Sequence, residues 1–256
     1  MKCAFNALLI LLLFFCLQAC KEPVDPPAPI NQAKTETFEF KATGINEGKI
    51  YLPGSYDSRT DLPVIYLIDF QEQHHEVARD EFQQVINGVS KLLQVDAAIV
   101  SLAVHHDISV QITHSSEYFE LFKELAAYVD ANYRVGPSKT LIGRGSEGGM
   151  VLLSLFQEIG ASHGFGNFIA HDPPADFINY VTSLVESDTF PQDKSDMRLH
   201  YSFSNDYELA ANNLMIDKIQ IRNYGWLKFG YDSYPNLSFE EAYPTAYADG
   251  IAFILR

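Results

Sequence analysis

Cysteine and basic residues are both scarce in this chain. Three cysteines occur among 256 residues, and 18 Lys and Arg stand against 33 Asp and Glu, which gives a formal net charge of −15. Contacts with phosphate backbones depend on clustered Lys and Arg, so this charge argues against a nucleic-acid partner. An anionic lipid surface would also repel the protein, so membrane attachment would need another source.

The chain also lacks a hydrophobic run that spans a bilayer comfortably, which takes about 20 residues. Its most apolar stretch, Ala7 to Leu17, follows the positively charged Lys2 and suits the hydrophobic region of a signal peptide. Leu17-Gln18-Ala19-Cys20 resembles the lipobox, where signal peptidase II cuts before a cysteine that carries lipid. We therefore predict a signal peptide over 1–19 and a lipid anchor on Cys20. The alternative is an ordinary secretory signal that happens to end at a cysteine.

Removal of residues 1–19 would take Cys3 and Cys16 with it and leave Cys20 as the sole cysteine of the mature protein. No intramolecular disulfide is then expected, although an exported protein meets an oxidising compartment. Residues 20–37 are rich in proline and are predicted to form an extended tether. Together these features predict a cell-envelope protein, anchored to a membrane through Cys20 at the periplasmic face or the cell surface.

Residues 38–256 are predicted to fold as one domain. The chain has 47% hydrophobic and 13% aromatic residues, which argues against disorder. The continuous apolar runs Leu62 to Ile68 and Ala97 to Val104 are typical of strands that are buried on both faces. Glu117 to Tyr133 has the spacing of an amphipathic helix, with acidic residues in its first turn.

The remaining predicted elements continue this alternation of strands and helices. Strands are expected at Thr37 to Ala42, Lys49 to Leu52, Lys139 to Ile142, Phe168 to Ala170 and Leu199 to Phe203, and helices at Val77 to Leu93, Glu147 to Ile159, Pro174 to Val185 and Pro244 to Leu255. Such alternation predicts a doubly wound α/β fold, a mostly parallel sheet with helices on both faces. Ligands of these sheets bind where the strands end.

Several segments resemble a single known family. Tyr51 to Asp57 (YLPGSYD) is similar to its YLP-x-x-Y opening, and Leu62 to Asp69 is similar to its first central strand. Phe122 to Arg134 resembles its long helix, and Pro244 to Ile251 resembles the segment after its catalytic histidine. On these residues the chain is similar to the α/β-hydrolases that include esterase D and enterochelin-esterase-like proteins. The resemblance implies the α/β-hydrolase fold and a serine esterase whose nucleophile, acid and histidine occur in that order.

The family's nucleophilic serine lies in a G-x-S-x-G turn between a strand and a helix. This chain has Gly143-Arg144-Gly145-Ser146-Glu147-Gly148-Gly149, which is one residue out of step. If the motif is aligned on the following Gly-Gly pair, Ser146 takes the nucleophile position. If it is aligned on the preceding strand, Gly145 takes that position. With Ser146 as nucleophile, the resemblance implies an oxyanion hole built from amides after Asp69 or after the nucleophile, namely those of Phe70, Glu147 and Gly148.

The base expected from the resemblance is missing. The chain has eight histidines, none of them beyond His200, and Phe239 stands where the family has its catalytic histidine. The acid is easier to place, because Asp206 and Glu208 both follow the predicted strand Leu199 to Phe203. His171 ends another predicted strand near the turn and is the candidate for a displaced base. A serine without a base is a weak nucleophile, so we predict a degenerate catalytic triad.

Three other patterns suggest ligands. Gly143-x-Gly145-x-x-Gly148 fits a dinucleotide motif in form, but it lies in mid-sheet rather than in the first strand–helix unit, so no cofactor is expected. His74-His75 and His105-His106 are adjacent pairs whose side chains point in opposite directions on extended backbone, so no metal site is expected. The aromatic residues of the C-terminal part are explained most simply as core residues, although they would also suit a glycan-like ligand.

These observations predict a lipid-anchored, esterase-family protein that lacks the usual Ser-His-acid activity. Its centre would be retained to bind a small-molecule ester, a glycan-like ligand or a protein partner of the cell envelope. The alternative is an active carboxylic-ester hydrolase with Ser146 as nucleophile. A third class is a purely structural or partner-binding subunit of an envelope complex.

Overall fold

The computed structural model describes residues 32–41, 46–69, 81–103, 111–157, 164–188, 196–204 and 209–255. The chain divides into two compact units, Met1–Asn31 and Gln32–Arg256, and all described residues belong to the second. The predicted signal peptide, Cys20 and most of the tether therefore lie outside the described residues. Across the described ranges, no helix has both the length and the apolar character needed to cross a bilayer.

A sheet of eight strands forms the centre of the second unit, in the order β1-β2-β4-β3-β5-β6-β7-β8. The strands are β1 Lys34–Phe40, β2 Asn46–Leu52, β3 Val64–Asp69, β4 Ala98–Ala103, β5 Lys139–Arg144, β6 Asn167–His171, β7 Met197–Ser204 and β8 Leu227–Tyr234. Strand β2 is antiparallel to β1 and β4, whereas every other pair is parallel. The predicted mostly parallel sheet is confirmed.

Six α-helices occur in the described residues and cover both faces of the sheet. They are α1 Glu81–Asn87, α2 Ser115–Asn132, α3 Gly145–Phe156, α4 Ala175–Ser187, α5 Leu209–Arg222 and α6 Phe239–Leu255. Apolar residues of α1 and α6 pack on one face, and those of α2 to α5 pack on the other. The predicted doubly wound arrangement is therefore confirmed.

The terminal helix α6 begins at Phe239, earlier than the predicted start at Pro244, which instead lies inside the helix. Ser238 explains the earlier start, because its backbone N–H and its hydroxyl both donate to the Glu241 carboxylate, at 3.1 and 2.8 Å. A Glu in the first turn that accepts hydrogen bonds from the Ser just before the helix is typical of a helix N-terminus. As a result, Phe239 and Glu240 belong to the first turn of α6 and lie over the ends of the central strands.

Candidate functional site

The turn between β5 and α3 contains the glycine-rich motif. Strand β5 ends at Arg144 and α3 begins at Gly145, whose φ is +57°. Residues with a Cβ rarely adopt this left-handed conformation, whereas glycine adopts it without steric cost. The strained position of a G-x-S-x-G turn also lies directly after the strand. The backbone therefore favours the alignment on β5, in which Gly145 takes the nucleophile position and Ser146 follows it.

Two further glycines let the strands and the helix approach closely. A Cβ at Gly143 would lie 2.9 Å from the backbone carbonyl carbon of Glu147, and a Cβ at Gly148 would lie 2.8 Å from the carbonyl oxygen of His171. Both separations are shorter than real Cβ contacts. Gly143 therefore acts as the small residue two positions before the turn, as the alignment on β5 requires. Glu147, which is buried, stands where the family has its second small residue.

Ser146 lies half-buried in the first turn of α3. Its role as a nucleophile stays a prediction, as does the oxyanion role of the Glu147 and Gly148 amides. Within the described ranges, no histidine nitrogen forms a hydrogen bond with the Ser146 hydroxyl. Phe70, Asp206 and Glu208, the other predicted members of the centre, lie outside the described residues.

His171, the predicted displaced base, is the last residue of β6 and pairs in register with Arg144 of β5. Its side chain is fully buried, with Nδ1 3.0 Å from the Ser202 hydroxyl and Nε2 3.2 Å from Oδ2 of Asp172. Burial, followed by the positive charge of Arg144, lowers the pKa of His171 to about 3. The imidazole is therefore neutral in ordinary buffers and is a far weaker base than a catalytic histidine.

Asp172 continues this buried polar group beyond the end of β6. It has a left-handed backbone, with φ of +44°, and its Oδ1 accepts a hydrogen bond from the backbone N–H of Ser204 at 2.7 Å. The backbone N–H of Asp172 in turn donates to the Ser202 carbonyl at 2.9 Å. These bonds join the carboxyl ends of β6 and β7, and the Ser204 N–H satisfies one oxygen of the buried carboxylate.

Phe239 lies at the position where the sequence resemblance led us to expect a catalytic histidine. It is the first residue of α6, after β8, and its ring is stacked on the imidazole of His171 with centroids 5.9 Å apart. The ring has no group that accepts a proton. At the same time it covers His171, so Phe239 supplies no base itself and shields the imidazole beside it.

Arg144 fills the space between the turn and α6. Its guanidinium donates to Glu81, the first residue of α1, and to Glu240 of α6 at 3.0 Å. The guanidinium also lies 4.8 Å from the ring centre of Phe239 and 4.4 Å from that of Tyr243. Burial, the largest single influence, lowers the pKa of Arg144. The charge and hydrogen bond of Glu81, together with Tyr247 and Tyr243, outweigh it and raise the pKa, so the guanidinium stays charged.

Glu81 and Glu240 differ in their exposure to water. Glu81 is 4% exposed and also accepts a hydrogen bond from the Tyr247 hydroxyl at 3.4 Å, whereas the Glu240 side chain is 41% exposed. The Glu81 carboxylate is thus part of the interior, whereas the Glu240 carboxylate contacts Arg144 from the solvent side. In the sequence, a bulky residue inside a glycine-rich turn was the only sign of this cluster.

The described residues hold no cluster of three His, Cys, Asp or Glu side chains arranged to bind a metal ion. The histidine pairs His74-His75 and His105-His106 lie outside the described ranges. Among the aromatic residues of the C-terminal part, Tyr231 and Tyr234 belong to β8. Tyr231 is exposed and stacks on Phe229 with ring centroids 6.0 Å apart.

No family model matches the chain, and no curated protein matches it. Many solved structures do share its fold. An IroE-like serine hydrolase from Shewanella oneidensis has 18% sequence identity and a TM-score of 0.66, over 85% of this chain and 79% of that one. This chain has the α/β-hydrolase fold.

Other structures with this fold are also named as hydrolases. Siderophore hydrolase EstB from Aspergillus nidulans superposes with a TM-score of 0.62 and 13% identity, over 90% of this chain and 96% of that one. The S-formylglutathione hydrolase FrmB from Staphylococcus aureus superposes with a TM-score of 0.62 and 12% sequence identity, over 88% of this chain and 98% of that one. In this fold the nucleophile of an active enzyme follows the strand that corresponds to β5, so Gly145 and Ser146 are the two candidate positions for it in this chain.

Proposed function

We propose that this α/β-hydrolase-fold protein does not perform ordinary Ser-His-acid hydrolysis and instead binds a ligand at the former catalytic centre. The observation that carries the proposal is the backbone of Gly145, which takes the left-handed turn position that a nucleophilic serine would need. Phe239 supports it, because a phenyl ring at the base position accepts no proton. Loss of a nucleophile or base from such a triad lowers turnover by about 10⁴-fold to 10⁶-fold.

The retained architecture favours binding over a purely structural role. The strand order, the glycine-mediated contact of Gly143 and Gly148, and the N-terminus of α3 are all still present at the centre. Arg144, Phe239 and Tyr243 add a cation and two aromatic rings at the same edge of the sheet. A charged group flanked by apolar walls is typical of a small-molecule site.

The test is an ester-hydrolysis assay with the full-length protein in nonionic detergent, beside its Ser146→Ala variant. The substrates are p-nitrophenyl acetate and p-nitrophenyl butyrate, whose good leaving group makes even weak catalysis measurable. We expect equal, background-level release from both proteins and no labelling of either by a fluorophosphonate. Turnover that disappears in Ser146→Ala would show an active hydrolase with Ser146 as nucleophile and would overturn the proposal.

We further propose that the protein is held at the cell envelope by lipid on Cys20. The lipobox-like Leu17 to Cys20 supports this, as does the acidic charge, because a protein with a net charge of −15 gains little from an anionic lipid surface. Cells fed an alkyne-tagged fatty acid should label the protein and hold it in the membrane fraction. The Cys20→Ser variant should lose both the label and the membrane association; labelling that persists would contradict the anchor.

A further inference from the structure

The ion pairs of Arg144 are asymmetric, and the asymmetry indicates a ligand. Glu81 contacts the guanidinium from the interior, and Glu240 contacts it from the solvent side. We infer that Arg144 binds the carboxylate group of a small aryl or alkyl carboxylic acid, which displaces Glu240. This inference rests on the proposed function and names the chemical class of its ligand.

Charge balance allows the exchange. Burying Arg144 together with Glu81 alone leaves a neutral pair, and Glu240 adds a negative charge that a ligand carboxylate would replace one for one. A guanidinium presents several N–H groups in a plane that matches the two oxygens of a carboxylate. Glu81 stays in place throughout, because a buried carboxylate without its partner is costly.

Release of Glu240 is the easy step. Its side chain is 41% exposed, so water already solvates part of the carboxylate, and its release from Arg144 costs less than breaking an ion pair in which both partners are buried. Glu240 also lies in the first turn of α6, where the N-terminus of the helix stabilises a negative charge whether or not the charge contacts Arg144. Its neighbour Glu241 caps Ser238 and does not take part, so the helix end stays intact.

The surroundings of the guanidinium define the rest of the ligand. The ring centres of Phe239 and Tyr243 lie 4.8 and 4.4 Å from the guanidinium carbon of Arg144, and Phe239 is partly exposed. A ligand whose carboxylate meets Arg144 would therefore place its body against an aromatic ring. This arrangement favours an acid with an apolar body, such as an aromatic or medium-chain carboxylate, over a highly hydrated one.

The experiment titrates the full-length protein in nonionic detergent with benzoate, and in parallel with neutral benzamide, while the backbone amide signals of Gly145 and Ser146 are followed by NMR. We expect saturable shifts with benzoate and none with benzamide. The Glu240→Gln variant removes the competing carboxylate and should bind benzoate roughly twofold to fivefold more tightly. The matched Glu241→Gln variant, changed in the same helical turn but away from Arg144, should bind as the original protein does.

Arg144→Lys keeps a positive charge beside Glu81 but loses the planar fork, so it should weaken benzoate binding at least about tenfold. Equal binding of benzoate and benzamide, no tightening in Glu240→Gln, or unchanged binding in Arg144→Lys would each overturn the inference. Ester hydrolysis that depends on Ser146 would instead overturn the proposed function. The benzoate titration would then still show whether Arg144 binds a carboxylate, but not that the centre serves binding alone. Absence of both hydrolysis and benzoate binding would remove only the carboxylate assignment.

Discussion

Phe239 and His171 are stacked, with ring centroids 5.9 Å apart and ring planes inclined by 9°. An aromatic residue thus lies at the position after β8 where the sequence resemblance led us to expect a histidine, and it covers the only histidine that ends a described strand of the sheet. Phe239 also lies against the guanidinium of Arg144, which pairs in register with His171 on the neighbouring strand. The stacked ring and the adjacent guanidinium explain why the imidazole is both buried and close to a positive charge.

Removal of the phenyl ring should restore the basicity of His171. In Phe239→Ala, water reaches the imidazole, so the pKa of His171 should rise from about 3 towards its ordinary 6.5. NMR titration of the imidazole carbon-bound protons measures this pKa. Phe239→Leu keeps an apolar cover and should leave the pKa close to its original value. A pKa unchanged in Phe239→Ala would show that the ring does not cause the depression.

The depressed pKa also predicts a loss of stability in acid. Between pH 6.5 and pH 3 the unfolded chain protonates His171 while the folded protein does not, so the free energy of unfolding must fall as the pH falls. From pH 7 to pH 4.5 this group alone should remove about 2 to 3 kcal/mol. Urea unfolding at both values measures the loss.

His171→Asn is the control for that measurement, because asparagine cannot titrate and can still approach the Ser202 hydroxyl. The difference in unfolding free energy between pH 7 and pH 4.5 should be smaller in this variant by the same amount. An identical loss in both proteins would assign the acid sensitivity to other groups and contradict the depressed pKa.

The fold could be predicted from the sequence wherever many consecutive residues shared one pattern of polar and apolar side chains. The apolar runs Leu62 to Ile68 and Ala97 to Val104 became β3 and β4, and Glu117 to Tyr133 became most of α2. Helix α5 and strand β8 were not predicted. The exposed strand β8 has no continuous apolar run, and α5 has weak amphipathic periodicity with apolar residues on its exposed side.

The centre was less predictable, because its contacts join distant parts of the chain. Arg144 meets Glu81 and Glu240 across separations of 63 and 96 residues, and no local pattern reports such pairs. The register of the turn was ambiguous for a similar reason. The residue letters allow either Gly145 or Ser146 at the turn, and the backbone angle of Gly145 distinguishes the two alignments.

Arg144 should be essential for stability as long as Glu81 is present. Arg144→Met leaves the Glu81 carboxylate buried without its cation, and such an uncompensated charge costs about 3 to 5 kcal/mol. The double variant Arg144→Met with Glu81→Met replaces the pair by apolar side chains and should recover most of that loss. Urea unfolding of the four members of this cycle gives the coupling energy directly.

An exposed ion pair provides the matched control for the effect of burial on the free energy of unfolding. Lys123 and Glu120 form an ion pair on α2 at 3.2 Å, with both side chains open to solvent. Lys123→Met should therefore cost less than about 1 kcal/mol. If Arg144→Met cost no more than Lys123→Met, the Arg144 cluster would have to be regarded as a surface contact.

The register of the turn can be tested by introducing a serine and a histidine at the positions that it assigns to the nucleophile and the base. If Gly145 is the nucleophile position and Phe239 the base position, the double variant Gly145→Ser with Phe239→His should gain ester hydrolysis and fluorophosphonate labelling. General-base assistance is worth about 10²-fold to 10⁴-fold, so its turnover should exceed that of Gly145→Ser alone by at least about 10²-fold.

The Gly145→Ser change should also lower stability, which urea unfolding of the same variants measures. A serine at φ of +57° is strained, and this should lower the free energy of unfolding by about 1 to 3 kcal/mol. Phe239→His combined with the native Ser146 is the matched control for the other register. Activity in that single variant, lost on Ser146→Ala, would place the nucleophile one residue later and show that α3 presents Ser146, and not residue 145, to an ester.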